Sequence, residues 1–181
     1  MTLAPALLLS MPQLVDPNFA RTVVLLCDHA PEGAFGLIVN RPSELSAAEA
    51  VAFEPPLEGA NPLPLHIGGP VDPGRGWILS AAAPEGVESR EVGAGLHLSA
   101  SPTFLRHVLA TRPIPRRTQV YAGYAGWGPG QLDAELADSA WLIMPVELDL
   151  IFEIPPNVAW EMAIRRLGAD PHLLQQGHGV H

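Results

Sequence analysis

The sequence predicts the α+β class. Stretches rich in β-branched and leucine side chains alternate irregularly with stretches of helical periodicity, and no regular βαβ rhythm runs through them. Twenty prolines and seventeen glycines are spread along the 181 residues and punctuate many short elements. No internal repeat, low-complexity segment or composition break divides the chain, whose length suits one domain with a sizeable core. Residues 1–168 are expected to form that domain, and 169–181 a loosely held tail.

Taken in order, the opening MTLAPALLLSMPQLVDP looks superficially like a signal peptide. No basic residue precedes Arg21, and Pro5 and Pro12 bracket only a short apolar run, so a strand is expected there. Thr22 to His29 and Phe35 to Asn40 flank APEGA and read as a hairpin with a glycine-containing turn. Both strands are nearly continuous in apolar residues, which predicts a sheet covered on both faces. Pro42 and SELSAAEAVAF suggest a turn and a short helix. Leu63 to Ile67 and Gly76 to Ser80 read as strands on either side of GGPVDPGR, a Gly- and Pro-rich loop. Shorter strands are expected near Val87 to Val92 and Leu96 to Leu98. Ser101 followed by Pro102 starts a helix whose Phe104, Leu105, Val108 and Leu109 share a face. Gln119 to Tyr124 is the next strand, and Pro129 to Ala140 a helix lined by Leu132, Leu136 and Ala140. Asn157 is placed to cap a last helix in which Trp160, Ile164 and Leu167 recur on one side and which Gly168 ends.

All ten basic residues are arginines, so a Schiff-base, phosphate-loop or kinase-type lysine is impossible. The single cysteine, Cys27, rules out an intramolecular disulfide. Apolar runs fall far short of the roughly 20 residues a bilayer requires, and a soluble, cytoplasmic protein is expected, with no membrane association. A net charge of −9 and a pI near 5.1 disfavour nucleic acid, where affinity comes from displacing counterions with Lys and Arg. Arg112, Arg116 and Arg117 form one local basic group, and Arg165 and Arg166 another, at a helix end where cations suit the macrodipole.

Cys27 and His29 stand at i and i+2, which on a regular strand puts thiol and imidazole on one face. Completing a metal site would need scattered histidines such as His66, His97 and His107, so core or strand-end roles are favoured and no metal is assigned. Histidines of the tail HLLQQGHGVH are of the kind that scavenge metal without function. The Gly123 to Gly130 stretch runs into a helix start, but Asp133, Glu135 and Asp138 already answer the positive helix end. Arg75, after Gly68, Gly69 and Pro70, could offer a bidentate fork to a carboxylate or phosphate; a tight turn with a surface arginine explains the same residues.

Several separated motifs together resemble the YqgE/AlgH family of small bacterial proteins. They are Ser10, Met11, Pro12, Asp16, Pro17, Phe19 and Arg21; Cys27 and His29; Gly33, Ala34, Gly36, Asn40, Arg41 and Pro42; Gly68, Gly69, Pro70, Val71, Arg75 and Gly76; then GYAGWGPGQL, Trp141, Phe152 and Trp160. The similarity spans Leu3 through His178. Two departures are Asp133, where the family usually has Glu, and Ser80, where it often has His. The resemblance implies strongly curved mixed β-sheets with helices packed around them. Family members are described as uncharacterised or as transcriptional regulators.

These observations lead to a non-enzymatic binding or regulatory protein, acting through a protein partner or a small ligand, with no cofactor and no catalytic residue assigned. The alternatives are an enzyme using Cys27 and His29 or Arg75, and a direct DNA-binding regulator using the Arg112, Arg116 and Arg117 group. For a ligand, three loops are expected to converge around one concave surface that Arg41 or Arg75 faces. They carry Asn40 and Arg41; Gly68, Gly69, Pro70 and Arg75; and Gly123, Tyr124, Gly126, Trp127, Gly128 and Gln131.

Overall fold

The computed structural model describes residues 2–14 and 16–176. Among them, ten strands form one curled, half-barrel sheet: β1 (Ala6–Ser10), β2 (Val23–Ala30), β3 (Gly33–Ile38), β4 (Pro42–Ser46), β5 (Pro64–Ile67), β6 (Val71–Ser80), β7 (Arg90–Gly93), β8 (Leu96–Ser99), β9 (Thr118–Trp127) and β10 (Trp141–Met144). The helices are α1 (Ala47–Ala50), α2 (Pro102–Ala110), α3 (Gln131–Ala137), α4 (Leu148–Phe152), α5 (Pro156–Arg166) and α6 (Pro171–Gln176). Strand order is β10-β1-β2-β3-β9-β6-β8-β7, with β4 on β5 and β5 on β9. The β5·β9 pair is parallel and the other pairs are antiparallel, so the α+β class and the mixed sheet both hold.

Alternation along β1 and β2 sorts their side chains onto two cores. Leu7, Leu9, Val23, Leu25 and Cys27 face the side covered by Leu150, Ile151, Trp160 and Ile164 of α4 and α5. Leu8, Val24 and Leu26 face the side covered by Leu132 of α3, Trp127 and Trp141. Burying each such leucine contributes about 1.5–3 kcal/mol. A third core joins α1 and α2 to β5, β6 and β9 through Ala47, Leu65, Ile78, Leu109 and Val120. No helix among the described residues is long and apolar enough to cross a membrane.

Local chemistry explains the element starts. Ser46 and Glu49 close a reciprocal capping box over α1. Ser101 accepts from Phe104 N–H, with Pro102 at the first helical position, as the sequence suggests.

Several expectations are corrected. GGPVDPGR is not simply a loop. Strand β6 begins at Val71, and between Val71, opposite Tyr124, and Gly76, opposite Ala122, the intervening residues bulge out. Strand β9 runs on to Trp127, because Gly36, Phe35 and Ala34 pair with Ala125, Gly126 and Trp127. α3 consequently starts at Gln131, after Gly130 with φ of 71°, and ends by Ala137. α4 has no counterpart in the sequence reading. Pro155, rather than Asn157, occupies the N-cap of α5, and Leu167 ends the helix 40% exposed instead of buried. Gly168, with φ of 85°, does terminate it. Where a loose tail is expected from Ala169, α6 follows, with Ala169 and Leu174 against the first core. His178 and His181 lie outside the described residues.

Candidate functional site

Cys27 and His29 do not share a face. A bulge between Leu26 and Asp28 inserts Cys27 as an extra residue opposite β3, so the alternation slips by one. The thiol packs in the first core, 4% exposed, and burial pushes it up to about 12; Arg90 pulls it down less strongly and Asp28 adds to the rise. His29 turns to the other side. Its Nδ1 accepts from Leu3 N–H at 3.1 Å, so Nε2 carries the proton and meets Asp133 Oδ1 at 3.0 Å. Both ring nitrogens therefore hold structure. Among the described residues no three His, Cys, Asp or Glu side chains are placed to hold a metal.

The residues of the three loops meet as packed backbone rather than around one concavity. Gly68 N–H donates to Ala122 C=O and its own carbonyl accepts from Ile38 N–H, each at 2.8 Å. A Cβ on Gly68 would overlap the Gly123 carbonyl, and one on Gly69 the Tyr124 carbonyl, so these glycines permit contact between two chain segments. Arg41 belongs to the same knot: its carbonyl accepts from Ile67 N–H, while its guanidinium donates to Asn18 and Ala20 carbonyls at 3.1 and 2.7 Å. Asn40 accepts from Val23 N–H and donates to the Arg21 carbonyl. Pro70 and Gly126 are exposed. Gln131 caps Gly128 N–H and donates to Glu135, whose carboxylate also accepts from both Trp127 and Trp141 indoles, at 3.1 and 2.9 Å.

Arg75 stands apart. Its guanidinium lies 4.6 Å from the centroid of Trp77, which meets Phe35 at 5.0 Å and Tyr124 at 6.2 Å in edge-to-face contacts. Trp77 Nε1 is buried with no hydrogen-bond partner among the described residues. Arg75 opens with Arg90, Ser89 and Thr103 onto a cleft of ≈ 850 Å³. Tyr124 and Trp127 line a separate cleft of ≈ 390 Å³ with Asp28, Glu32 and Phe35.

A third cleft, of ≈ 660 Å³, was not anticipated. His66, only 5% exposed, forms part of its wall beside Gln119, Arg116 and Phe152. Burial lowers the imidazole from the ordinary histidine range against a smaller opposing pull from the Pro64 carbonyl, and Nδ1 has no hydrogen-bond partner among the described residues. An unsatisfied buried atom of this kind costs about 1–3 kcal/mol. The basic group expected near here is divided. Arg112 donates to the Gly59 and Ala60 carbonyls, Arg117 pairs with Glu153, and the Arg116 side chain makes no hydrogen bond or ion pair with a described residue.

Residues 7–172 match the model of the AlgH-like family. This chain belongs to the AlgH-like family. A UPF0301 protein of Methylococcus capsulatus is 43% identical over 98% of this chain and 96% of its own length. Another, from Stutzerimonas stutzeri, is 42% identical over 94% and 93%. The solution structure of AlgH from Pseudomonas aeruginosa is similar with a TM-score of 0.74 and 34% identity, covering 97% of this chain and 94% of that one. A crystal structure from Corynebacterium diphtheriae shares the fold, with a TM-score of 0.67. Within the AlgH-like fold, both departures from the family pattern have local roles here. Asp133 holds His29, and Ser80, 4% exposed, donates to the Ala82 carbonyl at 2.8 Å.

Proposed function

We propose that this AlgH-like protein is a cytoplasmic, non-catalytic binding or regulatory protein that works through a protein partner or a small ligand, with the face around Arg75 as its contact surface. The observation that carries this reading is a guanidinium with no hydrogen bond or ion pair among the described residues, centred 4.6 Å from the Trp77 ring centroid and lining an ≈ 850 Å³ cleft. The cation–π contact restrains the guanidinium before anything binds, which lowers the ordering cost of recognition. Half-buried Phe35 and Tyr124 supply apolar area beside it. Support against a catalytic thiol comes from Cys27, whose protonated, enclosed sulfur is a poor nucleophile. Any effect on transcription is read as indirect, since a net charge of −9 opposes a phosphate backbone and, of the Arg112, Arg116 and Arg117 group, Arg117 is paired with Glu153.

The test compares native-lysate capture, with mass spectrometry of co-purifying proteins and small molecules, for the unaltered chain, Arg75→Ala and Arg165→Ala. A species retained by the first and third and lost by the second is expected. Capture indifferent to Arg75, or turnover of a hydrolase or transferase substrate that Cys27→Ser abolishes without loss of thermal stability, would overturn the reading.

A further inference from the structure

The cleft beside His66 shares no lining residue with the cleft at Arg75 and goes beyond the function proposed above. Its walls come from four stretches distant in sequence: Pro42 on β4, Leu63 to His66 at β5, Ile114 to Gln119 leading into β9, and Ile151 to Pro156 between α4 and α5. Ile114, Phe152 and Pro155 make it largely apolar, and ≈ 660 Å³ is the size of ordinary small-molecule sites. Two arginines reach it with different freedom. Arg117 holds Glu153 through two hydrogen bonds at 3.0 and 3.1 Å, whereas the Arg116 side chain is exposed and makes no hydrogen bond or ion pair with a described residue. The His66 imidazole is held toward its neutral form by burial, so it adds no second cation.

We propose that this cleft binds a small organic acid, with an apolar body against Ile114, Phe152 and Pro155 and a single carboxylate on the Arg116 guanidinium. One uncompensated cation matches one negative charge. A phosphate dianion would bring a surplus charge toward Glu153 in a chain of net charge −9. A planar carboxylate also fits the two-pronged donor of an arginine. The ring of His66, packed 5.5 Å from that of Tyr121, reports on the cleft floor.

Phenylacetate and its uncharged counterpart phenylacetamide, titrated into the full chain and followed through the His66 imidazole and Phe152 ring resonances, separate the outcomes. Phenylacetate is expected to give saturable shifts and the amide to bind about tenfold more weakly, as for loss of a charge-assisted hydrogen bond. Arg116→Ala and Arg116→Gln should each remove that preference, while Arg165→Ala leaves it intact. Equal binding of acid and amide, a preference that survives both Arg116 substitutions, or no saturable shift up to about 10 mM would overturn the proposal.

Discussion

Gly69 has room for a hydrogen and nothing larger, because a Cβ there would run into the Tyr124 carbonyl and Ala125 nitrogen, and its φ is +157°. Gly74, six residues from Gly68 in the same motif, has no heavy atom within 4 Å of that position. Gly69→Ala is therefore expected to lower stability by about 2 kcal/mol or more, and Gly74→Ala to stay within about 0.5 kcal/mol, in urea unfolding. Cys27 makes a second prediction. Its thiol ordinarily titrates at 9.0 and is pushed up to about 12, so between these pH values the native state holds a proton that the unfolded chain has released. Stability must then fall as pH rises through that window, and Cys27→Ala should flatten the alkaline limb. An unaltered limb would place its origin elsewhere. Iodoacetamide should label the native thiol slowly at neutral pH.

Between elements, Asn61 acts as a rivet. Its side chain, in a residue 2% exposed, donates to Val108 and Thr111 carbonyls and accepts from Leu63 N–H, joining the end of α2 to the approach of β5. Asn61→Ala removes all three of these bonds, leaving the buried Leu63 N–H without this acceptor, and should cost about 1–3 kcal/mol in denaturant unfolding; a cost under about 0.5 kcal/mol would show that the loop repacks. Elements with local signals were legible in sequence. Ser101 and Pro102 announce α2, and the paired apolar runs announce β2 and β3. α4 was not legible, since its five residues lack a side-chain cap. Nor was the end of β9 from Ala125 to Trp127, where Gly126 looks like a loop residue and pairing with β3 makes the strand. The slip that separates Cys27 from His29 is likewise set by a neighbouring strand, not by the letters between them.

At the scale of the molecule, β9 is the member on which the sheet depends: β6 lies along one edge, and β5 and β3 share the other. Amides of Val120 to Ala122 should be among the slowest to exchange with solvent, and those of the short α1 among the fastest. A reversed order would mean that the two halves of the sheet open independently. The family motifs were visible in sequence, but many of their residues shape the β5·β9 junction rather than line a cleft; Arg75 keeps a guanidinium with no hydrogen bond or ion pair among the described residues. The His66 and Arg116 cleft was hidden because its walls are gathered from residues 42 to 156.

The carboxylate shared by Trp127 and Trp141 makes α3 optically observable. Both indoles are under a tenth exposed and bonded to Glu135, so the seating of one short helix sets the polarity felt by two of the four tryptophans. Glu135→Ala should shift fluorescence emission to longer wavelength and unseat α3 before the sheet gives way. If emission does not move, the indoles are held by packing alone. If it does, the colour of emitted light becomes a running gauge of whether that helix is in place.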